Sequence, residues 1–459
     1  MKILIIGLAK TGQGMIKGIL DENHEVTVID KSKSAIEEAT NKYNISGFCG
    51  SGASRKVLLK AGVADADIVI AATETDEVNL MCSMIAKSLG AHYVVAVLRN
   101  PDFEHEREYI KSQFGISYII NPELDTANEI ANLIRFPVSL KAEAFFANDI
   151  TIAEIPVEAK MEIDGLSISD LRAKLASEML VCSVKRGKNA YVPDGSFVLK
   201  SGDVLDVITS HATLNQICEK LGIIKKNVKS VMIVGGGNTG LYLAKKLCEM
   251  KMKVKIVEFD KKRCSELVAE LPHAEVVHGD GLESGLLMEE GIKNYDACVS
   301  LTGADESNLV AAMFAWSCGI HPIITKIVSP SYAELLKGVS IDYTVSPSAV
   351  SMKNLLRYIR IMENCTCCKK GDINALNKLG DGSVEAIEFC ADESFASLGV
   401  PFKDFSPSIK DNTLVAAIIR NDNVIIPDKD STIELNDKVI IVTLCGNKYH
   451  TLSDILKTK

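Results

Sequence analysis

An α/β fold built twice, each copy a doubly wound parallel sheet followed by a smaller α+β lobe, is predicted by three observations. Short runs of Val and Ile alternate with helix-length segments from residue 1 to residue 122. That alternation then gives way to strands broken by Pro, Asp and Gly, such as "AYVPDGSFVLKSGDVLDVI". Finally, the whole pattern recurs from residue 228 onward.

The recurrence is exact enough to be numbered. Gly7 and Gly235, Gly12 and Gly240, and Asp30 and Glu258 are each 228 positions apart. The register then shifts by one, so that Gly50, Thr73, Asp76, Glu77 and Asn79 align with Gly279, Thr302, Asp305, Glu306 and Asn308. Farther along, Arg186, Pro193 and Asp203 match Arg420, Pro427 and Asp437, each 234 apart. Within a copy, apolar strands such as "VKSVMIVG", "KVKIVEFD", "AEVVHGD", "DACVSLTG" and "HPIITKIV" are separated by helices such as "NTGLYLAKKLCEM". Continuous Val/Ile runs bounded by glycine belong to strands buried on both faces, which is a parallel sheet with helices above and below. The expected organisation is a sheet lobe over 1–122, a helical connector over 123–140 and a small α+β lobe over 141–225. The second copy follows with 228–347, 348–368 and 369–459.

Composition narrows the function. The chain of 459 residues is 47% hydrophobic, 24% charged and 5% aromatic, with a net charge of -9. A nucleic-acid partner is not expected, because neutralising phosphates needs a basic surface. No 18-residue apolar run exists, so neither a signal peptide nor direct membrane insertion is expected, and the location should be cytoplasmic. The 13 cysteines are scattered through apolar segments and read as buried thiols. Cys365, Cys367 and Cys368 crowd together, but no second Cys or His pair stands nearby to complete a zinc site, so no metal is expected.

The chemistry lies in the glycine turns. In "GGGNTG", Gly235 permits a tight turn, Gly237 lets backbone approach a pyrophosphate, and Gly240 lets the helix pack against the strand. Gly236, Asn238 and Thr239 complete a turn whose free N–H groups lie at the positive end of a helix dipole. Glu258 follows at the spacing of a carboxylate that accepts from a ribose hydroxyl, which favours NAD over NADP. The first turn carries Gly7, Leu8, Ala9, Lys10, Thr11 and Gly12, with Asp30 as its acid; Ala9 replaces the middle glycine, and Ser51 stands where Asp280 precedes Gly281. That site is left open between a dinucleotide, a mononucleotide such as AMP, and no ligand. Both sheets are therefore Rossmann-type. Thr73, Glu74, Thr302 and Gly303 should flank a ligand at the same carboxyl edge, while Asp76, Asp305, Asn79 and Asn308 are read equally as ligand contacts or helix caps. Arg99 and Lys326, near the end of strand five, could meet phosphate or a neighbouring subunit.

The paired turns, "VID" and "VEFD", "ATETDEVNL" and "LTGADESNLVAA", "RNPDF", and the Arg, Pro, Gly-Asp pattern of the small lobes resemble the TrkA family, built from two RCK modules. The resemblance implies a nucleotide-sensing cytosolic regulatory subunit, not an enzyme. It would bind NAD or NADH, with ATP, ADP or AMP as alternatives, and sit peripherally on the inner face of the membrane. It also implies a homo-oligomer, a tetramer in particular, and a TrkH-like potassium-transporting membrane partner. By the same resemblance, "PDFEHEREYIKSQF" and "SPSYAELLKG" are candidate segments for lobe pairing. The rivals are an NAD-dependent dehydrogenase and a nucleotide-binding scaffold for another partner. Against the dehydrogenase stands the lack of a repeated acid or base at the cofactor edge, since His92 and His321 enter strand five at its opposite end.

Overall fold

The first sheet of the computed structural model runs β1 (Lys2–Ile6), β2 (Glu25–Asp30), β3 (Ser46–Cys49), β4 (Ile68–Ala71), β5 (Tyr93–Val97) and β6 (Tyr118–Ile120) in sequence. In space the order is β3-β2-β1-β4-β5-β6, with parallel pairing throughout. Helices α1 (Lys10–Asp21), α2 (Lys33–Tyr43), α3 (Arg55–Lys60), α4 (Asp76–Ser88), α5 (Arg107–Phe114) and α6 (Pro122–Arg135) intervene or follow. Strand β4 is buried along its length as Ile68, Val69, Ile70 and Ala71, as a strand covered by helices on both faces must be. Because β2 and β4 lie on opposite sides of β1, the chain reverses direction there and opens a crevice at the carboxyl ends of the strands.

The described residues are 1–135, 141–145, 150–158, 161–175, 179–187, 189–223, 228–329, 332, 341–366, 373–379, 383–420, 423–445, 447, 449 and 451–457. A small lobe follows the first sheet: β7 (Lys141–Phe145), β8 (Ile150–Pro156), α7 (Ile168–Leu175), β9 (Met179–Arg186), β10 (Asn189–Tyr191), β11 (Val204–Ser210) and α8 (His211–Lys220), with sheet order β10-β9-β11-β8-β7.

The second copy repeats both designs. Strands β12 (Ser230–Val234), β13 (Lys253–Glu258), β14 (Ala274–His278), β15 (Ala297–Ser300), β16 (Ile323–Lys326) and β17 (Tyr343–Val345) are ordered β14-β13-β12-β15-β16-β17. Between and after them lie α9 (Asn238–Glu249), α10 (Lys261–Glu270), α11 (Ser284–Glu289), α12 (Asp305–Ser317) and α13 (Pro347–Thr366). Its small lobe holds β18 (Ile373–Leu379), β19 (Val384–Cys390), α14 (Phe402–Phe405), β20 (Thr413–Arg420), β21 (Asn423–Ile425) and β22 (Lys438–Leu444), ordered β18-β19-β22-β20-β21. The expected fold class, two Rossmann-type sheets each with an α+β lobe, is the observed one.

Like packs with like. One compact unit combines Met1–Ile134 with Asn227–Leu356, and the other combines Arg135–Lys226 with Arg357–Lys459. In the first unit the connector helices cross over. Ala127, Ile130, Ala131 and Ile134 of α6 enter the core of the second sheet lobe with Val231, Leu241 and Leu247. Helix α13 in turn lies on α1, whose Gly14 and Gly18 leave room for it: a Cβ at Gly18 would stand 2.7 Å from Met352 Sδ. Asn121 donates to the Tyr242 hydroxyl at 3.2 Å, a further tie between the copies.

In the second unit the two small sheets face each other. Alternation along the strands does this: Val207 of β11 and Ile441 of β22 turn to their own lobes' cores, whereas Ile208 and Ile440 meet Ala386, Ala416 and Ala417 between the sheets. The residues that mark the repeat brace each lobe. Arg186 grips Asp203 with two bonds of 2.7 Å, and Arg420 grips Asp437 at 2.9 and 2.7 Å. Cys367 and Cys368 lie outside the described residues, as do the side chain of Cys365 and most of "SPSYAELLKG". The partner segment "PDFEHEREYIKSQF" forms a short 3-10 turn at Pro101–Phe103 and then α5.

Candidate functional site

Each sheet lobe has a cleft at its carboxyl edge, built on the same backbone. Gly7 and Gly235 adopt φ of 101° and 107°, which a side chain would strain. The helix that follows each turn packs so closely that a Cβ at Gly12 or Gly240 would lie 2.1 or 2.4 Å from the carbonyl oxygen of Gly7 or Gly235. Helices α1 and α9 begin without a side-chain cap and without an acidic residue in the first turn. Their leading N–H groups and the positive dipole end are thus available to an anion. At Gly237 nothing lies within 4 Å of where a Cβ would be, so the open space there belongs to the cleft and not to packing. Ala9 holds the matching position with φ -62° and ψ 170°, close to the φ -61° and ψ -172° of Gly237, so its methyl group changes the surface without changing the turn.

The acidic residues brace the turns. Asp30 accepts from Leu8 N at 2.6 Å and Ser32 N at 2.7 Å, and Glu258 accepts from Gly236 N at 2.6 Å and Asp260 N at 2.8 Å. Each carboxylate oxygen retains a second lone pair for a hydroxyl donor. Ser51 accepts from Ala53 N at 3.3 Å and Asp280 from Leu282 N at 2.9 Å, so the exchange keeps the local turn and removes the charge.

The first cleft, of about 370 Å³, brings together Gly7, Leu8, Ala9, Asp30, Thr73 and Glu74. The second, of about 450 Å³, brings together Gly235, Gly237, Glu258, Asp280, Gly281, Thr302, Gly303 and Lys326. Lys10, Thr11 and Gly12, like Gly236, Asn238, Thr239 and Gly240, lie in the adjoining turn and helix start and are not in the cleft walls. Arg99 is outside the first cleft's walls but donates to Thr11 Oγ1 at 2.9 Å, which places its guanidinium at the start of α1. Lys326 donates to Leu301 O at 3.3 Å, and burial pulls its ammonium below the usual lysine range, opposed by Glu123 and Asp305. Glu123, 3.9 Å from Arg99 Nε, is itself pushed up by burial.

Asn79, Asn308, Asp76 and Asp305 do not cap their helices; their side chains are engaged by neighbouring backbone. Asn79 accepts from Thr73 N at 2.7 Å and donates to Val97 O at 2.8 Å, while Asn308 accepts from Thr302 N at 2.6 Å and donates to Lys326 O at 3.0 Å. Asp76 accepts from Arg99 N and Asn100 N, and Asp305 from Val328 N and Ser329 N. These four side chains join the loops after strands four and five in each sheet and leave no cap for their helices.

Several residues in and beside the clefts are invisible to a search for repeats. Arg263 donates to Gly236 O at 2.8 Å and Asn238 Oδ1 at 3.3 Å, locking the second turn, while the first copy has Ala35 there. Lys31 and Ser32 line the first cleft, and Phe259, Leu282 and Ser307 line the second. The only signal for them is the disagreement between the copies.

A family model described as the TrkA-N domain matches residues 3–122 and 231–347, more than half of the chain, and one described as the TrkA-C domain matches 152–222. The chain is 30% identical to "Trk system potassium uptake protein TrkA homolog" of Archaeoglobus fulgidus, over 96% of this chain and 97% of that one. Its identity to "Trk system potassium uptake protein TrkA" of Haemophilus influenzae is 29%, over 96% and 95%. Among solved structures, one described as "GsuK channel bound to NAD" shares the fold with a TM-score of 0.60 and 17% identity, covering 97% of this chain and 77% of that one.

Proposed function

The chain belongs to the TrkA family, and from that premise we propose that it is a cytoplasmic, nucleotide-sensing regulatory subunit that gates a membrane potassium transporter. The observation that carries this reading is the pair of equivalent clefts, each with an uncapped helix start, a braced carboxylate and no histidine or cysteine among the described lining residues. Such clefts can hold a nucleotide by its phosphates and ribose hydroxyls. The ligand of the second cleft is NAD or NADH, with ATP, ADP or AMP as alternatives. Its phosphates lie at Gly235–Gly240, its ribose hydroxyls at Glu258, and Lys326 stands at the far side; NADPH would face repulsion from Glu258. The first cleft, with Ala9 and Ser51, takes the smaller or weaker ligand, with Arg99 near its phosphate.

A bound nucleotide shifts the protein only by its differential affinity for two arrangements of lobes. Exposed Met81 and Met84 on α4 match Val310 and Met313 on α12, joined there by Trp316. Apolar faces of this kind support self-association, and four chains, giving eight sheet lobes, make the closed ring proposed here. That ring sits on the inner face of the membrane through a TrkH-like partner. Among the described residues no helix is long and apolar enough to cross a membrane. Potassium flux into liposomes holding the membrane subunit tests the function. Adding this protein with NADH should change the flux, and Glu258→Ala should blunt the response; flux indifferent to every adenine nucleotide would refute it.

A further inference from the structure

We propose that Lys326 is an acylation site: an acyl phosphate held by its phosphate at the glycine turn of the second cleft transfers its acyl group to the Lys326 amine. The proposal rests on the reading of that turn as a phosphate site. Lys326 is the last residue of β16, is partly buried, and lines the cleft that contains Gly235 and Gly237. Its Nζ donates to Leu301 O at 3.3 Å, and Gly235 packs so closely against the same carbonyl that a Cβ there would lie 2.8 Å from the oxygen. The amine and the turn therefore meet at one carbonyl group. A small ligand whose phosphate sits at the uncapped start of α9 presents the group it carries to that amine.

The surroundings suit the amine to attack. A lysine is a nucleophile only without its proton, and burial favours the neutral form more strongly here than Glu123 and Asp305 oppose it. The ammonium first gives a proton to water. The neutral nitrogen then bonds to the acyl carbon, the bond from that carbon to the phosphate oxygen breaks, and the phosphate leaves with the electron pair and the proton that the nitrogen releases. The products are an amide at Lys326 and inorganic phosphate, with nothing oxidised or reduced. Acylation removes the cation that faces Glu123 and Asp305 and adds bulk to the cleft, so it opposes nucleotide binding. The first cleft lacks the site: Asn79 donates to Val97 O as Asn308 does to Lys326 O, so a valine holds the equivalent position.

Mass spectrometry of the full-length protein after incubation with acetyl phosphate gives the rate at each lysine. Lys326 should acylate at least about tenfold faster than Lys262, whose side chain is 88% exposed, because a held donor has a raised effective concentration. With acetic anhydride, which carries no phosphate, that preference should shrink. Inorganic phosphate should slow the reaction of acetyl phosphate at Lys326 and leave Lys262 unchanged, and Glu123→Gln, which removes a carboxylate favouring the ammonium, should speed Lys326. A Lys326 rate no greater than that of Lys262, or one that inorganic phosphate does not slow, overturns the proposal, and binding of NADH by calorimetry in the same protein leaves the nucleotide reading standing. Selective, phosphate-sensitive acylation of a protein that binds no adenine nucleotide supports the acylation site and overturns the nucleotide reading instead.

Discussion

Position 236 is glycine because Leu267 already fills the space beside it, where a Cβ would come within 2.4 Å of Leu267 Cδ1. The first copy has Leu8 and Ala39 at these two positions, both buried, so bulk has moved from the helix to the turn. The unusual "GLAKTG" is therefore a repacked turn, in which Leu8 and Ala9 both add surface to the wall of the first cleft. Gly237→Ala should leave the melting temperature unchanged, since the methyl meets no protein atom within 4 Å. Dinucleotide affinity at the second cleft should fall about tenfold, or roughly 1.4 kcal/mol, and Ala9→Gly should raise it at the first. Calorimetry on the two variants checks this; an unfolded Gly237→Ala protein would show that the glycine serves packing. Much of this was legible in the sequence, because glycine, acid and helix recur at fixed offsets with a stated geometric role. Arg263, Phe259, Leu282 and Lys31 were not, since comparing the copies finds what they share and these residues are where they differ.

At the scale of elements, the exchange of α6 and α13 was also hidden. Sequence periodicity identifies both as amphipathic helices following a sheet lobe, but a repeat carries no information about which lobe receives them. The core shared by the two copies is filled by α6. The crossing contains an ionisable group. Asp125 on α6 has one buried oxygen without a hydrogen-bond partner among the described residues, and burial pushes its carboxyl up to about 6, against lowering by Asn354 of α13 and Arg107. Between pH about 4 and 6 the folded protein holds a proton that the unfolded chain has released, so stability falls as pH rises through that window. Above it the ionised group costs of order 3 kcal/mol. Asp125→Asn should raise the melting temperature at pH 7.5 and remove the decline between pH 4 and 6. A melting curve with the wild-type pH profile would show that Asp125 is not the group responsible.

For the whole molecule, the decisive quantity is the oligomer. The exposed side chains of α4 and α12 recur at one offset: Met81 with Val310, and Met84 with Met313. A face presented twice per chain can propagate around a closed ring, where a face presented once yields only pairs. Met313→Glu with Trp316→Glu should shift the protein from the proposed tetramer to a smaller species in light scattering while leaving its helix content intact, because both side chains are about half exposed. A wild-type protein that is monomeric at micromolar concentration, or a double variant that stays tetrameric, would move the ring contact elsewhere.

The crossing of α6 into the second lobe also has a consequence during synthesis. The apolar stripe of Ala127, Ile130, Ala131 and Ile134 leaves the ribosome early, but the residues that cover it extend from Val228 to Val345. Roughly 200 residues separate the stripe from the last of them, about 10–40 s of translation at typical rates. Throughout that interval the first lobe is a nascent domain whose last helix is uncovered. In a polysome, two such chains can satisfy each other's stripes before either has made its own partner. Fusion of the two copies into one polypeptide makes the correct partner the local one, and the order of synthesis decides how long it must be awaited.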